Sequence, residues 1–366
     1  MPDRPSLDHP RLYIPGPTEV AAEVAAAQTR PMVGHRSSEF QALFYDVAAK
    51  LQRLFLTAQQ VFIVTASGSG LQEAAVRNGV RPGRKVLNMV NGAFAERWHQ
   101  IALGNGLEAV RVDLPWGRPV RPEDVDAALA AGGFDAVTVV HNETSTGVMS
   151  DIEAIARLVR ERYPDVLVLV DAVSSAGGVR IPFDAWDLDF LLTSSQKALA
   201  LPPGLAFAAA SSRFLDRARQ VPRRGWYFDL VLLAQSFAEG KTTPATPAIG
   251  LLYAAQCQFE RILAEGLEAR FARHAAMMRM THEWAAGHGL ALFPEPGYAS
   301  PTVTCIRNNR GIDVAAMVQY AKAQHMVIGN GYGRLKHQTF RIAHMGELTP
   351  DDMEALFAVL DAFLSR

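Results

Sequence analysis

Residues 166–197 read VLVLVDAVSSAGGVRIPFDAWDLDFLLTSSQK. Two apolar runs, VLVLV (166–170) and DFLLT (189–193), each break into polar residues, Asp171-Ala172-Val173-Ser174-Ser175 and Ser194-Ser195-Gln196-Lys197. Neither run alternates, as expected for strands of a parallel sheet covered on both faces. Outward from them lie VFIVT (61–65), KVLNMV (85–90), EAVRVD (108–113), AVTVV (136–140) and LAFAAA (205–210). Helical patterns follow several of these runs: GSGLQEAAVRNG, a stretch with Phe94, Trp98 and Ile101 on one face, PEDVDAALAA and DIEAIARLVRERY. Alternation of this kind predicts an α/β, doubly wound, mostly parallel sheet.

Near 211–250 the alternation gives way to a loop-rich stretch, GWYFDL and KTTPATP, and then to a helical run over about 248–288. PTVTCI (301–306), a helix near 313–324, TFRIAH (339–344) and PDDMEALFAVLDAFL complete the chain. We expect an extended arm at 1–17, where prolines 2, 5, 10, 15 and 17 block helix continuation. A large domain is expected at 18–260 and a small α+β domain at 261–366.

The chain has 366 residues, of which 49% are apolar and 20% charged, enough for a sizeable core. Its net charge of −1 removes the electrostatic motive for nucleic-acid binding. Two cysteines, Cys257 and Cys305, rule out a disulfide scaffold or a multi-thiolate zinc site and fit a reducing cytoplasm. His282 and His288 miss the HExxH spacing, so no metal is expected. The sequence has no apolar run long enough to span a membrane, and its first residues lack a signal-peptide pattern.

In an open parallel sheet, ligands bind at the carboxyl ends of the strands. Ala66-Ser67-Gly68-Ser69-Gly70 follows one strand and opens a helix, as an anion cradle or a plain glycine turn. It is no dinucleotide fingerprint, since Glu73 stands where a third glycine belongs. His141-Asn142-Glu143-Thr144-Ser145-Thr146-Gly147 crowds polar groups at a second strand end. Asp171, placed after five apolar residues, wants a cationic partner. Lys197, at a third strand mouth, is a candidate nucleophile whose amine burial would deprotonate. A nicotinamide dehydrogenase fits the alternation but not the missing glycine.

These segments together carry a resemblance. Pro15-Gly16-Pro17, Gly34-His35-Arg36, Ser67-Gly68-Ser69-Gly70, HNETSTGV, DAVSSAGG, SSQKAL with PPGL, TTPATPAI and TFRIAHMGE occur in an order that resembles the class V aminotransferases of the alanine/serine–glyoxylate (serine–pyruvate) type. The resemblance implies a type I pyridoxal-phosphate (PLP) fold with a seven-stranded large domain, and a homodimer with shared active sites. It also implies a small amino acid (alanine or serine) and a 2-oxo acid (glyoxylate or pyruvate) as substrates.

Residue by residue, Lys197 matches the Schiff-base lysine and Asp171 the acid facing the pyridine nitrogen. Val173 matches a residue packed on one ring face. Phe94 stands where the other face is stacked, a position many relatives fill with Trp. Ser69, Gly70 and Leu71 match the phosphate cup, joined by Gln196. Thr144 matches the donor to the phenolate oxygen. Thr246, with Thr243 a second candidate, matches a threonine that reaches the partner's phosphate site; capping a helix before Pro247 is its ordinary alternative. Arg341 matches the clamp on the substrate α-carboxylate, with Gly16 and Pro17 at the mouth. His35 and Arg36 contact either substrate or the interface. Phosphoserine or 2-aminoethylphosphonate is the alternative substrate class, and a non-catalytic subunit on this fold the alternative role. A cysteine desulfurase would need a mobile, exposed cysteine.

Overall fold

The computed structural model describes residues 9–240 and 243–366. The first eight residues of the expected arm, and Thr242 of the TTPATP segment, lie outside the described residues. Seven strands form the main sheet, in the order 60–65, 205–210, 190–194, 167–171, 134–140, 85–90 and 108–113. All neighbours run parallel except Leu205–Ala210, which is antiparallel to both strands beside it. Phe134–Val140 and Leu167–Asp171 are buried along their whole length, which is why neither sequence alternates apolar with polar residues. Val168 and Val170 point into one hydrophobic cluster, Leu167 and Leu169 into another on the opposite face.

A second sheet has the order 11–13, 326–330, 339–343 and 303–307. Its outer strand, Arg11–Tyr13, comes from the N-terminal stretch and pairs parallel with Met326–Asn330. Phe340, Ile342, Met317 and Leu356 build its core.

The structure corrects the helical run expected over 248–288. It is two helices, Ile249–Glu265 and Leu267–Gly287, broken at Gly266, whose φ of 86° lies in the left-handed region. Position 260 falls inside the first of these helices. The stretch 211–250 is not all loop: Ser211 caps Ser212–Arg219 and Asp229 caps Leu230–Gln235. The helix Ser38–Phe55 was not expected. Ser37 caps it by accepting from the Phe40 N–H, and Phe40, Leu43, Phe44, Val47, Leu51 and Leu54 form its buried stripe. Among the described residues, no helix is long and apolar enough to cross a membrane.

Candidate active site

Gln60–Thr65 runs out into Ser67, and the helix Gly68–Gly79 opens at the sheet's carboxyl edge. The Ser67 side chain does not cap this helix, which leaves its first N–H groups and positive dipole end for an anion. Gly68 is required here: a Cβ would stand 2.6 Å from Val173 Cγ2. Of the three residues expected to cup a phosphate, Ser69 borders the cavity. Gly70 donates its N–H to the Ser67 carbonyl at 2.9 Å, and the Leu71 side chain is wholly buried in the core.

Asp171 ends the strand Leu167–Asp171 and is buried. Its Oδ1 accepts from the Val173 N–H at 2.8 Å and its Oδ2 from Gln72 Nε2 at 2.6 Å. Burial pushes its carboxyl up to about 6 despite those two donors. Gln72 was not singled out in the sequence; its signal is a polar residue one turn into a helix that otherwise packs on the sheet.

Lys197 follows the neighbouring strand, Phe190–Ser194. Its Nζ donates to the Pro15 carbonyl. The Thr18 N–H donates to the Gln196 carbonyl at 3.2 Å, and Thr18 Oγ1 to the Lys197 carbonyl at 2.9 Å. The turn over Pro15–Thr18 is thereby tied across the lysine, and a Cβ on Gly16 would lie 2.6 Å from Lys197 Cδ. Burial, then the Arg341 charge, bring the Lys197 amine down to about 8; Asp171 opposes them.

Arg341 projects from Thr339–Ala343 and is 8% exposed. Its Nε donates to the Asn330 carbonyl at 3.1 Å and its Nη1 to the Thr144 carbonyl at 3.2 Å. Among the described residues it has no carboxylate partner. Thr144 Oγ1 shares a 2.5 Å hydrogen bond with Ser174 Oγ. Phe94 sits in the first turn of Ala93–Gly104, where the buried Glu143 carboxylate accepts from the Phe94 and Ala95 N–H groups, each at 3.0 Å. Glu143 thus caps a helix some fifty positions away in sequence, a role the HNETSTGV motif did not reveal. The Phe94 ring stacks on Tyr332, with centroids 5.4 Å apart.

Ser69, Phe94, Thr144, Asp171, Val173, Gln196 and Lys197 border one cavity of about 230 Å³. Gly16 lies against Lys197, and Pro17 is exposed beside it. Thr243 and Thr246 border a different groove, with Trp226 and Tyr227. The helix-capping alternative for Thr246 is not what forms. The helix starts at Ile249 with Ala248 as its N-cap, and the Ala248 N–H donates to Thr65 Oγ1 at 3.2 Å. His35 and Arg36 do not border the cavity of their own chain; Arg36 Nη1 donates to the Thr243 carbonyl at 2.7 Å. Cys305 is buried, its thiol pushed up to about 11, and Cys257 is half-buried on a helix, so neither resembles a mobile nucleophile.

The cavity fits pyridoxal phosphate by its donor set. Ser194 Oγ and Gln196 Oε1 are buried without protein partners beside the open helix end, and the Gln196 amide can rotate to present its NH₂. A phosphate dianion suits that end. A buried carboxylate on one strand and an amine of lowered pKa on the next suit the ring nitrogen and the aldehyde. Ser67, Ser69, Ser194 and Gln196 would hold the phosphate, Asp171 the ring nitrogen, and Lys197 the aldehyde carbon.

Residues 18–332 match the family model described as aminotransferase class-V. The chain is 36% identical to the soluble hydrogenase small subunit of Synechococcus, over 98% of this chain and 94% of that one. It is 35% identical to the L-aspartate–glyoxylate aminotransferase of Paracoccus denitrificans, over 96% and 89%. The crystal structure of an alanine–glyoxylate aminotransferase from Nostoc superposes with a TM-score of 0.93 at 29% identity, covering 100% of this chain and 98% of that one.

Proposed function

The chain belongs to the class V aminotransferases, a pyridoxal-phosphate-dependent family, and we propose that it transfers the amino group of alanine or serine to glyoxylate or pyruvate. One observation carries this reading. An amine of lowered pKa, a buried carboxylate and a guanidinium without a carboxylate partner come from three different segments onto one site.

Bound pyridoxal phosphate would supply an electron sink for the pair left when the substrate Cα–H bond breaks. The chain's own residues then have separate tasks. Arg341 presents its fork to the α-carboxylate and fixes which Cα bond faces the lysine. Lys197 Nζ takes the Cα proton, and its long stem carries that proton to the other end of the reacting system. Asp171, held by Gln72 and the Val173 N–H, keeps a negative charge at the ring nitrogen. Val173 and Phe94 would pack the two ring faces, and Thr144 would donate to the phenolate oxygen. The same groups run in reverse to aminate the second oxo acid.

Thr246 and Thr243 lie away from their own chain's cavity, which supports a homodimer in which each protomer completes its partner's phosphate site. The exposed Trp226 and Tyr227 beside them suit such an interface. Two unpaired cysteines support a cytoplasmic setting. The break at Gly266 supports a division into a large unit and a smaller C-terminal one. The phosphoserine alternative leans on His35 and Arg36, of which Arg36 is tied to the Thr243 and Pro244 carbonyls.

A donor-by-acceptor assay of the holoenzyme tests the proposal. Alanine or serine with glyoxylate should outpace phosphoserine with 2-oxoglutarate in kcat/KM. A clear excess for phosphoserine would move the protein to the alternative.

A further inference from the structure

The guanidinium that borders the cavity itself is that of Arg97; Arg341 reaches the site through the Thr144 carbonyl. Arg97 lies one turn beyond Phe94 on the helix Ala93–Gly104. It forms no ion pair among the described residues, whereas Arg111 and Arg118 close by in sequence are both paired with acids. The contacts Arg97 does make are neutral. Its Nη2 donates to the Tyr332 hydroxyl at 3.2 Å, and its guanidinium carbon stands 4.8 Å from the Phe94 ring centroid. Two aromatic rings therefore orient the fork while leaving donors over for an anion.

Tyr332 also relates Arg97 to Arg341. The Arg341 guanidinium carbon lies 5.3 Å from the Tyr332 ring centroid, and the hydroxyl of that ring touches Arg97. The two cations thus meet one side chain, Arg341 near its ring and Arg97 at its hydroxyl. Both cations lower the Lys197 amine pKa, as two charges facing that amine must.

We propose that Arg97 is a specificity-determining residue, a second carboxylate site that admits an amino donor with a distal carboxylate of aspartate length beside the small donors. The inference rests on the aminotransferase reading above and on Arg341 taking the α-carboxylate. With that end fixed, the distal carboxylate reaches Arg97 past the edge of Tyr332. A donor without a distal charge leaves Arg97 hydrated at its exposed side and incurs no burial of an unpaired cation.

The test uses the holoenzyme, glyoxylate as fixed acceptor, and L-alanine, L-aspartate and O-phospho-L-serine as donors. Wild type is compared with Arg97→Gln and Arg97→Lys. Wild type should turn over aspartate at least as well as alanine. In Arg97→Gln the aspartate-to-alanine ratio of kcat/KM should fall by about 10- to 100-fold, the worth of a lost charge-assisted hydrogen bond, with Arg97→Lys in between. Succinate, an unreactive diacid, should inhibit wild type more strongly than propionate does, and Arg97→Gln should erase that preference. The proposal is overturned if wild type uses alanine but not aspartate, or if Arg97→Gln lowers both donors equally. It is also overturned if phosphoserine outpaces aspartate, which would make the distal group a phosphate. Failure on every donor and acceptor would remove the aminotransferase reading itself.

Discussion

Gln72 Nε2 donates to Asp171 Oδ2 at 2.6 Å, joining the first turns of the helix Gly68–Gly79 to the end of the strand Leu167–Asp171. The same helix end offers its N–H groups to an anion. In the proposed site one helix would therefore set both the phosphate cradle and the orientation of the acid toward the ring nitrogen.

The buried Asp171 carboxyl has a pH signature. Its native pKa of about 6 lies above the ordinary 3.8, so the native state holds a proton that the unfolded state has released between those values. Its contribution to stability is present below pH 4 and lost as pH rises through 6. In cofactor-free protein, Asp171→Asn should remove that loss, worth at most about 3 kcal/mol above pH 7. Gln72 Oε1 has no partner and can turn to accept from the new amide. Tm compared from pH 4 to 8 should show variant and wild type nearly equal at pH 4 and the variant higher at pH 8. A gap that does not grow with pH would remove the assignment. Holoenzyme activity should collapse in the same variant.

Lys197 is tied at its Nζ to Pro15 and at its main chain to Thr18. Borohydride reduction of the holoenzyme followed by peptide mapping should place the pyridoxyl label on Lys197; a label on another lysine would falsify its role. Lys197→Ala should keep cofactor by its phosphate and ring contacts yet lose about 10²–10⁴-fold in turnover, the usual worth of a positioned acid–base group. Gly16→Ala should lower both activity and Tm. It places a Cβ against the lysine stem and puts alanine at φ 98°.

The large sheet was legible because its central strands are buried on both faces, so VLVLV and AVTVV cannot be mistaken for half-exposed strands. Of the cavity's lining, those residues were legible whose polar group follows a strand directly, such as Asp171 and Lys197. Gln72, Glu143, Arg97 and Tyr332 were not, since each acts on a group brought near by folding. Glu143 caps a helix whose first residues lie 48 and 49 positions away. The helix Ser38–Phe55 did carry its signals, a serine cap and a six-residue apolar stripe, and the break at Gly266 was marked by its glycine.

Arg341 holds two backbone carbonyls, Asn330 and Thr144, with Nε and Nη1, which orients the guanidinium. Its loss should cost two charge-assisted hydrogen bonds to the α-carboxylate, each worth roughly 1.5–3 kcal/mol and partly replaced by water. Arg341→Ala should reduce kcat/KM by about 10²–10³-fold for every donor, and Arg341→Lys should fall between because it keeps charge without the fork. An effect confined to one donor would show that Arg341 reads the side chain instead.

Thr246 tests whether the sites are shared. Its groove, with Trp226 and Tyr227, is separate from the cavity of its own chain, so in the proposed homodimer its contact with a cofactor phosphate would be made in the partner. Thr246→Arg should place a long side chain in the partner's phosphate site and inactivate the homodimer. Lys197→Ala inactivates its own chain's site. In a mixed dimer of the two variants, the chain with intact Lys197 receives Thr246 from its partner, and that one site is whole. The other site carries both defects. Refolding an equimolar mixture, in which random pairing makes half the dimers mixed, should recover about a quarter of wild-type activity. If Thr246 instead acted within its own chain, each mixed dimer would hold one site of each defect and no activity would return. Sedimentation of each variant must first show a dimer, since a variant that fails to pair cannot complement.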